Sequence, residues 1–161
     1  SIQQQFNVKV REKNITLSLC DTDLHVRCDS KWTVEALGNI VDNAIKYTAC
    51  GGNVQIKVEQ YSFFVKIDII DDGIGIEKEE IPKIFGRFYR SLSVADQPGV
   101  GIGLFLAREI IQAQKGYIKV TSKRGKGSTF SVFLPIAKKD SIKTVTFQKP
   151  DGDIVMIKSV L

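Results

Sequence analysis

Alternating apolar runs and helically spaced apolar runs occupy separate stretches of this chain, and that separation limits the folds open to it. Val54, Ile56 and Val58 fall on one face of an extended run; after a break at Gln60–Ser62, Val65, Ile67 and Ile69 do the same. The two runs read as an antiparallel pair. "YIKVTS" and "TFSVFLP" form a second hairpin across "KRGKGS". Helical spacing governs Val34, Leu37, Ile40, Val41, Ala44 and Ile45, with Asp29 or Ser30 as N-cap and an end near Tyr47–Thr48. It returns at Leu104, Ala107, Ile110 and Ile111, with Gly116 suited to the position just past the helix. No strand–helix–strand period repeats, so the chain is expected to be α+β: a two-layer α/β sandwich, not a doubly wound sheet.

The remaining segments fill in this outline. "FNVKVREKNITLSLC" alternates on both sides of Lys13–Asn14 and reads as strand–turn–strand. "DTDLHVRC" is a loop entering a short strand, "EKEEIPKIF" a short acidic helical turn, and Gly86 to Gly103 a mobile loop. After Pro135, "KTVTFQ" and "DIVMIK" flank a "KPDG" turn and read as an edge hairpin.

The 161 residues allow one domain with a sizeable core. No apolar run approaches the roughly 20 residues that span a bilayer, and the N-terminus lacks a secretory pattern. Cys20, Cys28 and Cys50 show no paired spacing and read as buried free thiols; lone His25 cannot nucleate a metal cluster. The net charge is +5, but the basic residues are scattered, without an arm or an aromatic-interleaved stripe. That excludes a nucleic-acid partner and leaves attraction to an anionic ligand open.

Three elements carry chemistry. Glu35, Asn39, Asn43 and Tyr47 follow each other in steps of four, with Lys46 beside the last, on the side of the helix opposite its apolar set. Amides are mediocre helix formers, and burying one without a partner costs roughly 1–3 kcal/mol. Amide oxygens are hard neutral ligands that suit Mg²⁺ sharing its shell with phosphate. In "IIDDGIGI" a carboxylate ends a strand and precedes Gly73 and Gly75; it can accept a hydrogen bond from an exocyclic amine such as adenine's. "GVGIGL" leads straight into a helix, whose N-terminal amides and dipole make an anion site. It lacks both the preceding strand of a dinucleotide fingerprint and the Gly-Lys-Ser/Thr of a Walker loop.

In this order, with "IFGRFYR" before "GVGIGL" and "GKGSTF" after it, the chain resembles the catalytic ATP-binding domain of a bacterial two-component sensor histidine kinase, of the GHKL superfamily. "NIVDNAIKYT" is similar to that family's N box, "DDGIGI" to G1, "IFGRFYR" to the F box, "GVGIGL" to G2 and "GKGSTF" to a G3-like element. The resemblance implies a Bergerat sandwich with a mixed, mostly antiparallel sheet under three helices. It covers residues 6–136. Residues 1–5 would be a stub of linker from a dimerisation domain, and 137–161 a C-terminal tail.

By resemblance, Asn43 with Asn39 would hold Mg²⁺ on the ATP phosphates, and Lys46 would approach those phosphates. Tyr47 would flank adenine. Asp71 would accept the adenine amino hydrogen bond, while Gly73, Gly75 and Ile76 form the thin pocket floor. Arg90 would reach the γ-phosphate, and Phe85 and Phe88 would anchor a lid. Gly99, Gly101 and Gly103 would hinge that lid and present amides to phosphate, with Val100, Ile102 and Leu104 among the cofactor-binding residues; Thr129 would lie near adenine. The catalytic set implied is Asn43, Lys46 and Arg90. The γ-phosphoryl group would pass to a histidine on a separate dimerisation domain of the same or a parent kinase, and indirectly to a response regulator. The parent would be a homodimer in the bacterial cell membrane with this domain in the cytoplasm. The alternatives are a GHKL-type ATPase, which needs a glutamate base where Asn39 stands, and a nucleotide-binding regulatory module without kinase activity. His25 lacks an acceptor's sequence context and reads as structural.

Overall fold

The structure is a computed structural model that describes residues 2–20, 22–90, 99–136, 142–148 and 154–160. Its first element corrects the sequence reading. Ile2–Glu12 is a helix, α1, not a strand. Phe6 and Val10 stand four apart and pack into the core, leaving Val8, between them, 53% exposed. Asn14 takes a left-handed φ of 50° while Ile15 N–H donates to Val10 O and Asn14 N–H to Arg11 O. Lys13–Asn14 is therefore a helix stop with Asn in the left-handed position, not a hairpin turn.

The strands β1 (Thr16–Leu19), β3 (Asn53–Tyr61), β4 (Phe64–Asp71), β6 (Gly127–Pro135) and β5 (Tyr117–Lys123) lie in that spatial order in one mixed sheet. β1 runs parallel to β3; the other neighbours are antiparallel. The pair expected around the break at Gln60–Ser62 is β3–β4, and the expected second hairpin is β5–β6. Val65, Ile67, Ile69 and Asp71 alternate onto the buried face of β4, as period two requires.

Helices α2 (Ser30–Tyr47) and α3 (Gly103–Ala113) cover that face, burying Ile40, Ile45 and Ile111 against Val54, Ile67 and Val132. The two-layer α+β sandwich with three helices and a mixed five-stranded sheet is thus present among the described residues. Asp29 is the N-cap of α2, accepting from Trp32 N–H at 3.1 Å. Asp29→Ala is expected to cost about 1 kcal/mol in chemical denaturation.

Helix α3 ends before Gly116. Lys115, with φ 62°, takes the left-handed position, and Gly116 N–H returns to Ile111 O. Gly116 is small for another reason: a Cβ there would collide with Phe133 O.

β2 (His25–Arg27) belongs to a second sheet, ordered β2-β8-β7, with β7 (Ile142–Gln148) antiparallel to β8 (Ile154–Val160) and β8 parallel to β2. The "KPDG" turn lies outside the described residues, as do positions 91–98 of the expected mobile loop. Residues 5 and 6, on the two sides of the expected linker boundary, both lie within α1. Of the three free cysteines only Cys28 is buried; Cys20 and Cys50 are exposed, against expectation, because they occupy the ends of β1 and of the turn after α2. No helix among the described residues is long and apolar enough to cross a membrane.

Candidate functional site

Between α2, the N-terminus of α3 and the loop after β4 lies a cavity of about 1180 Å³. The stripe of α2 opposite its core face supplies Asn39, Asn43, Lys46 and Tyr47 to its wall. Glu35, one turn earlier on the same stripe, does not reach it. Asn39 Nδ2 is buried without a hydrogen-bond partner among the described residues, while its Oδ1 faces Gly103 at the start of α3. An orphaned donor beside free helix N-terminal amides is an arrangement that suits the oxygens of an anion.

At the far end β4 delivers two adjacent carboxylates in opposite directions. Asp71 is 7% exposed and lines the cavity; its Oδ1 accepts from Gly73 N–H at 2.9 Å. Burial holds its carboxyl above the ordinary range, opposed by hydrogen bonds from the Gly73 and Ser128 backbone. Asp72 points outward and ties the loop to β3, accepting from Asn53 N–H at 2.9 Å and Asn53 Nδ2 at 2.8 Å. Those bonds hold it below the ordinary range. One acid faces the cavity with spare acceptor capacity; the other is a structural tie.

The floor is built by close backbone approach. Gly75 has φ 69°, and a Cβ there would strike Lys123 O; a Cβ on Gly127, with φ 87°, would strike Asp71 O. The loop after β4 is thereby seated on the β5–β6 turn, where Gly125 N–H donates to Ile74 O at 2.7 Å and Ile76 N–H to Ser122 Oγ at 2.8 Å. Gly73 lies beneath the cavity wall, packed against Tyr47 O, and does not line it; Ile76 and Gly75 do.

The segment from Ile81 to Arg90 and the one from Gly99 to Leu104 close the third side. Phe88 N–H donates to Gly101 O at 2.9 Å, pinning the two together. Arg90, Gly99, Val100, Gly101, Ile102, Gly103 and Leu104 all line the cavity. Lys46 Nζ lies 5.0 Å from the Tyr47 ring centroid and against Gly99, so its ammonium stands between α2 and the Gly99 segment. Phe85 is buried in the core, edge-on to Phe130. Phe88 is 62% exposed at φ 62° and does not line the cavity.

Thr129 does not line the cavity; Ser128 and Phe130 do. Ser128 is opposite Asp71 in the β4–β6 register, and Thr129 opposite Ile70, so strand alternation turns Thr129 to the other face. The signal was present: Phe130, Val132 and Leu134 mark the inner parity to which Ser128 belongs. The sequence reading also missed the wall supplied by α1, which brings Val8, Lys9 and Glu12 to the cavity, and by Lys13 just past its end. Lys9 forms an ion pair with Asp42 of α2, partly exposed and so worth little in stability. His25 stands on β2, away from the cavity, with Nε2 buried and unpartnered.

A family profile described as histidine kinase-, DNA gyrase B-, and HSP90-like ATPase matches residues 28–138. The chain is 39% identical over 122 residues to the sensor histidine kinase WalK of Bacillus subtilis (strain 168), covering 73% of this chain and 20% of that protein. It spans 8–28% of the length of the first curated relatives it matches. Among solved structures it is similar to a mycobacterial sensor histidine kinase, MprB, at 28% identity and TM-score 0.74, over 84% of this chain and 93% of that one. It is also similar to the histidine kinase ThkA, solved in complex with the response regulator protein TrrA, at 26% identity and TM-score 0.66, over 84% of this chain and 38% of that one.

Proposed function

The chain belongs to the histidine kinase-, DNA gyrase B-, and HSP90-like ATPase family, and on that premise we propose that it binds ATP with Mg²⁺ and transfers the γ-phosphoryl group to a histidine on a separate dimerisation domain. One observation carries the reading. A single cavity has a buried carboxylate acceptor, Asp71, at one end and Asn39, Asn43 and the α3 N-terminus at the other. A nucleotide needs that polarity: an acceptor for the base amine, and donors and a cation for the phosphates.

In this assignment Asp71 accepts from the adenine amine and Tyr47 flanks the ring. Asn39 Nδ2 and the amides from Gly103 onward donate to phosphate oxygens, and Lys46 and Arg90 bring positive charge. The Asn43 amide, with Asn39, would hold Mg²⁺, which when bound neutralises phosphate charge and orients the terminal phosphoryl group. The acceptor imidazole would attack phosphorus as the bond to the bridging oxygen breaks, leaving ADP and a phosphohistidine.

The hydrolase alternative needs a base for water on α2. Asn39 cannot take a proton, Glu35 does not reach the cavity, and the α2 carboxylate that does line it, Asp42, is engaged in an ion pair with Lys9. The names of the relatives described above, all histidine kinases, support transfer over hydrolysis, and the ThkA complex supports a response regulator as downstream partner. In the parent protein this unit would be the cytoplasmic portion of a homodimeric, membrane-associated kinase.

The test mixes the purified chain with a helical-hairpin fragment bearing the acceptor histidine, using γ-labelled ATP. Acid-labile, base-stable label on the fragment is expected, and none on the chain alone. Rapid release of inorganic phosphate by the chain alone would instead establish an ATPase.

A further inference from the structure

Resting on the nucleotide reading of the cavity, we propose that Lys13 is a positioning residue: its ammonium holds the last turn of α2 so that Lys46 and Tyr47 face the ligand. A helix leaves its last four carbonyls without intrahelical donors. At the end of α2 each of them is taken. Lys13 Nζ donates to Ile45 O at 2.9 Å and Lys46 O at 2.9 Å, and also to the cap residue's Thr48 O at 2.6 Å. Ile74 N–H, from the loop after β4, donates to Tyr47 O at 3.3 Å. Thr48 returns its N–H and its hydroxyl to Ala44 O, at 3.0 and 2.7 Å.

An ammonium has three donors, and here all three converge on one helix end, where the dipole also favours positive charge. Lys13 is itself held in place, because its carbonyl accepts from Gly51 N–H at 2.8 Å. Lys46 and Tyr47, the phosphate and base contacts of the proposed site, sit on the turn so capped.

Removing the ammonium strips donors from three carbonyls at once. Only the fraction of molecules keeping that turn formed would then bind nucleotide, and apparent affinity falls with that fraction. Asp29→Ala supplies the control, since it weakens the same helix from its other end, away from the cavity.

The experiment compares the chain with its Lys13→Met and Asp29→Ala variants. Calorimetry reads binding of a nonhydrolysable ATP analogue with Mg²⁺, and amide hydrogen exchange reads α2 without nucleotide. Both variants are expected to lower Tm by about 2–4 °C. Lys13→Met is expected to raise the analogue's Kd about tenfold and to speed exchange at residues 45–48. Asp29→Ala is expected to leave the Kd within about twofold and those amides unchanged. Unchanged exchange at residues 45–48 in Lys13→Met overturns the proposal, as does an equal loss of affinity in the two variants. Should the unsubstituted chain bind no analogue, the nucleotide reading fails, while the exchange data still judge the cap.

Discussion

Asn43→Ala is expected to weaken magnesium-dependent binding of an ATP analogue by at least about a hundredfold while leaving the fold intact. Removing groups that merely orient a metal ligand costs 10–100-fold, and loss of the ligand itself sets that as a floor. Asn43 lies on the cavity side of α2, half-buried and opposite the apolar set that holds the helix to the sheet. Alanine also propagates a helix better than asparagine, so Tm should stay level or rise slightly. Calorimetry with and without Mg²⁺ separates the effects: the loss belongs to the magnesium-dependent part. An affinity unchanged in Mg²⁺ would remove Asn43 from the metal's shell and, with it, the main support for the assigned orientation of the nucleotide.

The second large effect is expected at Asp71, with Asp72 as its built-in contrast. In Asp71→Asn the new side chain can still accept from Gly73 N–H through its oxygen, but its amide N–H₂ then meets the adenine amine, donor against donor. Losing a charge-assisted bond of about 1.5–3 kcal/mol corresponds to a loss of affinity between roughly tenfold and a hundredfold, and ATP-over-GTP preference should fall with it. Asp72→Asn, on the exposed tie to Asn53, should leave nucleotide affinity unchanged. Comparable losses in both variants would mean that the loop, and not the acceptor, was being measured.

Asp71 also predicts a pH dependence whose sign follows from its burial. Its folded-state pKa is raised above the unfolded value, because desolvation outweighs the hydrogen bonds from Gly73 and Ser128. The folded protein therefore binds that proton more tightly than the unfolded chain. The ionised group costs stability above its folded pKa, and the cost disappears as pH falls through it. Asp71→Asn should accordingly be as stable as the parent or more so near neutrality, with the difference shrinking toward acid. Nucleotide affinity should move the opposite way: protonating Asp71 removes its charge and turns one acceptor oxygen into a donor, so binding declines in acid at a pH above that of an ordinary aspartate. The Asp71→Asn variant should lack that step.

Local hydrogen bonding explains which features were legible. The N-cap of α2, the β3–β4 and β5–β6 hairpins and the glycine-bearing entry to α3 depend on residues within a few positions of each other, and the chain carries those signals in its spacing. Of the site residues expected from the sequence, those on α2 and in the "GVGIGL" stretch do line one cavity. Phe88 and Thr129 do not, since the first sits on a left-handed backbone facing outward and the second on the outer parity of β6. The N-terminal segment misled for a different reason. Phe6, Val8 and Val10 fit period two, while Phe6 and Val10 alone fit a helix, and three apolar residues cannot separate those periods.

The sequence by itself determined the α+β class, the polar stripe of α2 and the order of its motifs, because periodicity and short-range capping are written in adjacent residues. Tertiary structure decided what distant segments do to one another. It made the first segment a helix, placed β1 beside β3 in parallel, joined β8 to β2, and turned Ser128 rather than Thr129 toward Asp71. Lys13 illustrates the physical reason: its ammonium meets carbonyls more than thirty residues away, and a contact closed across such a span leaves no trace in local spacing.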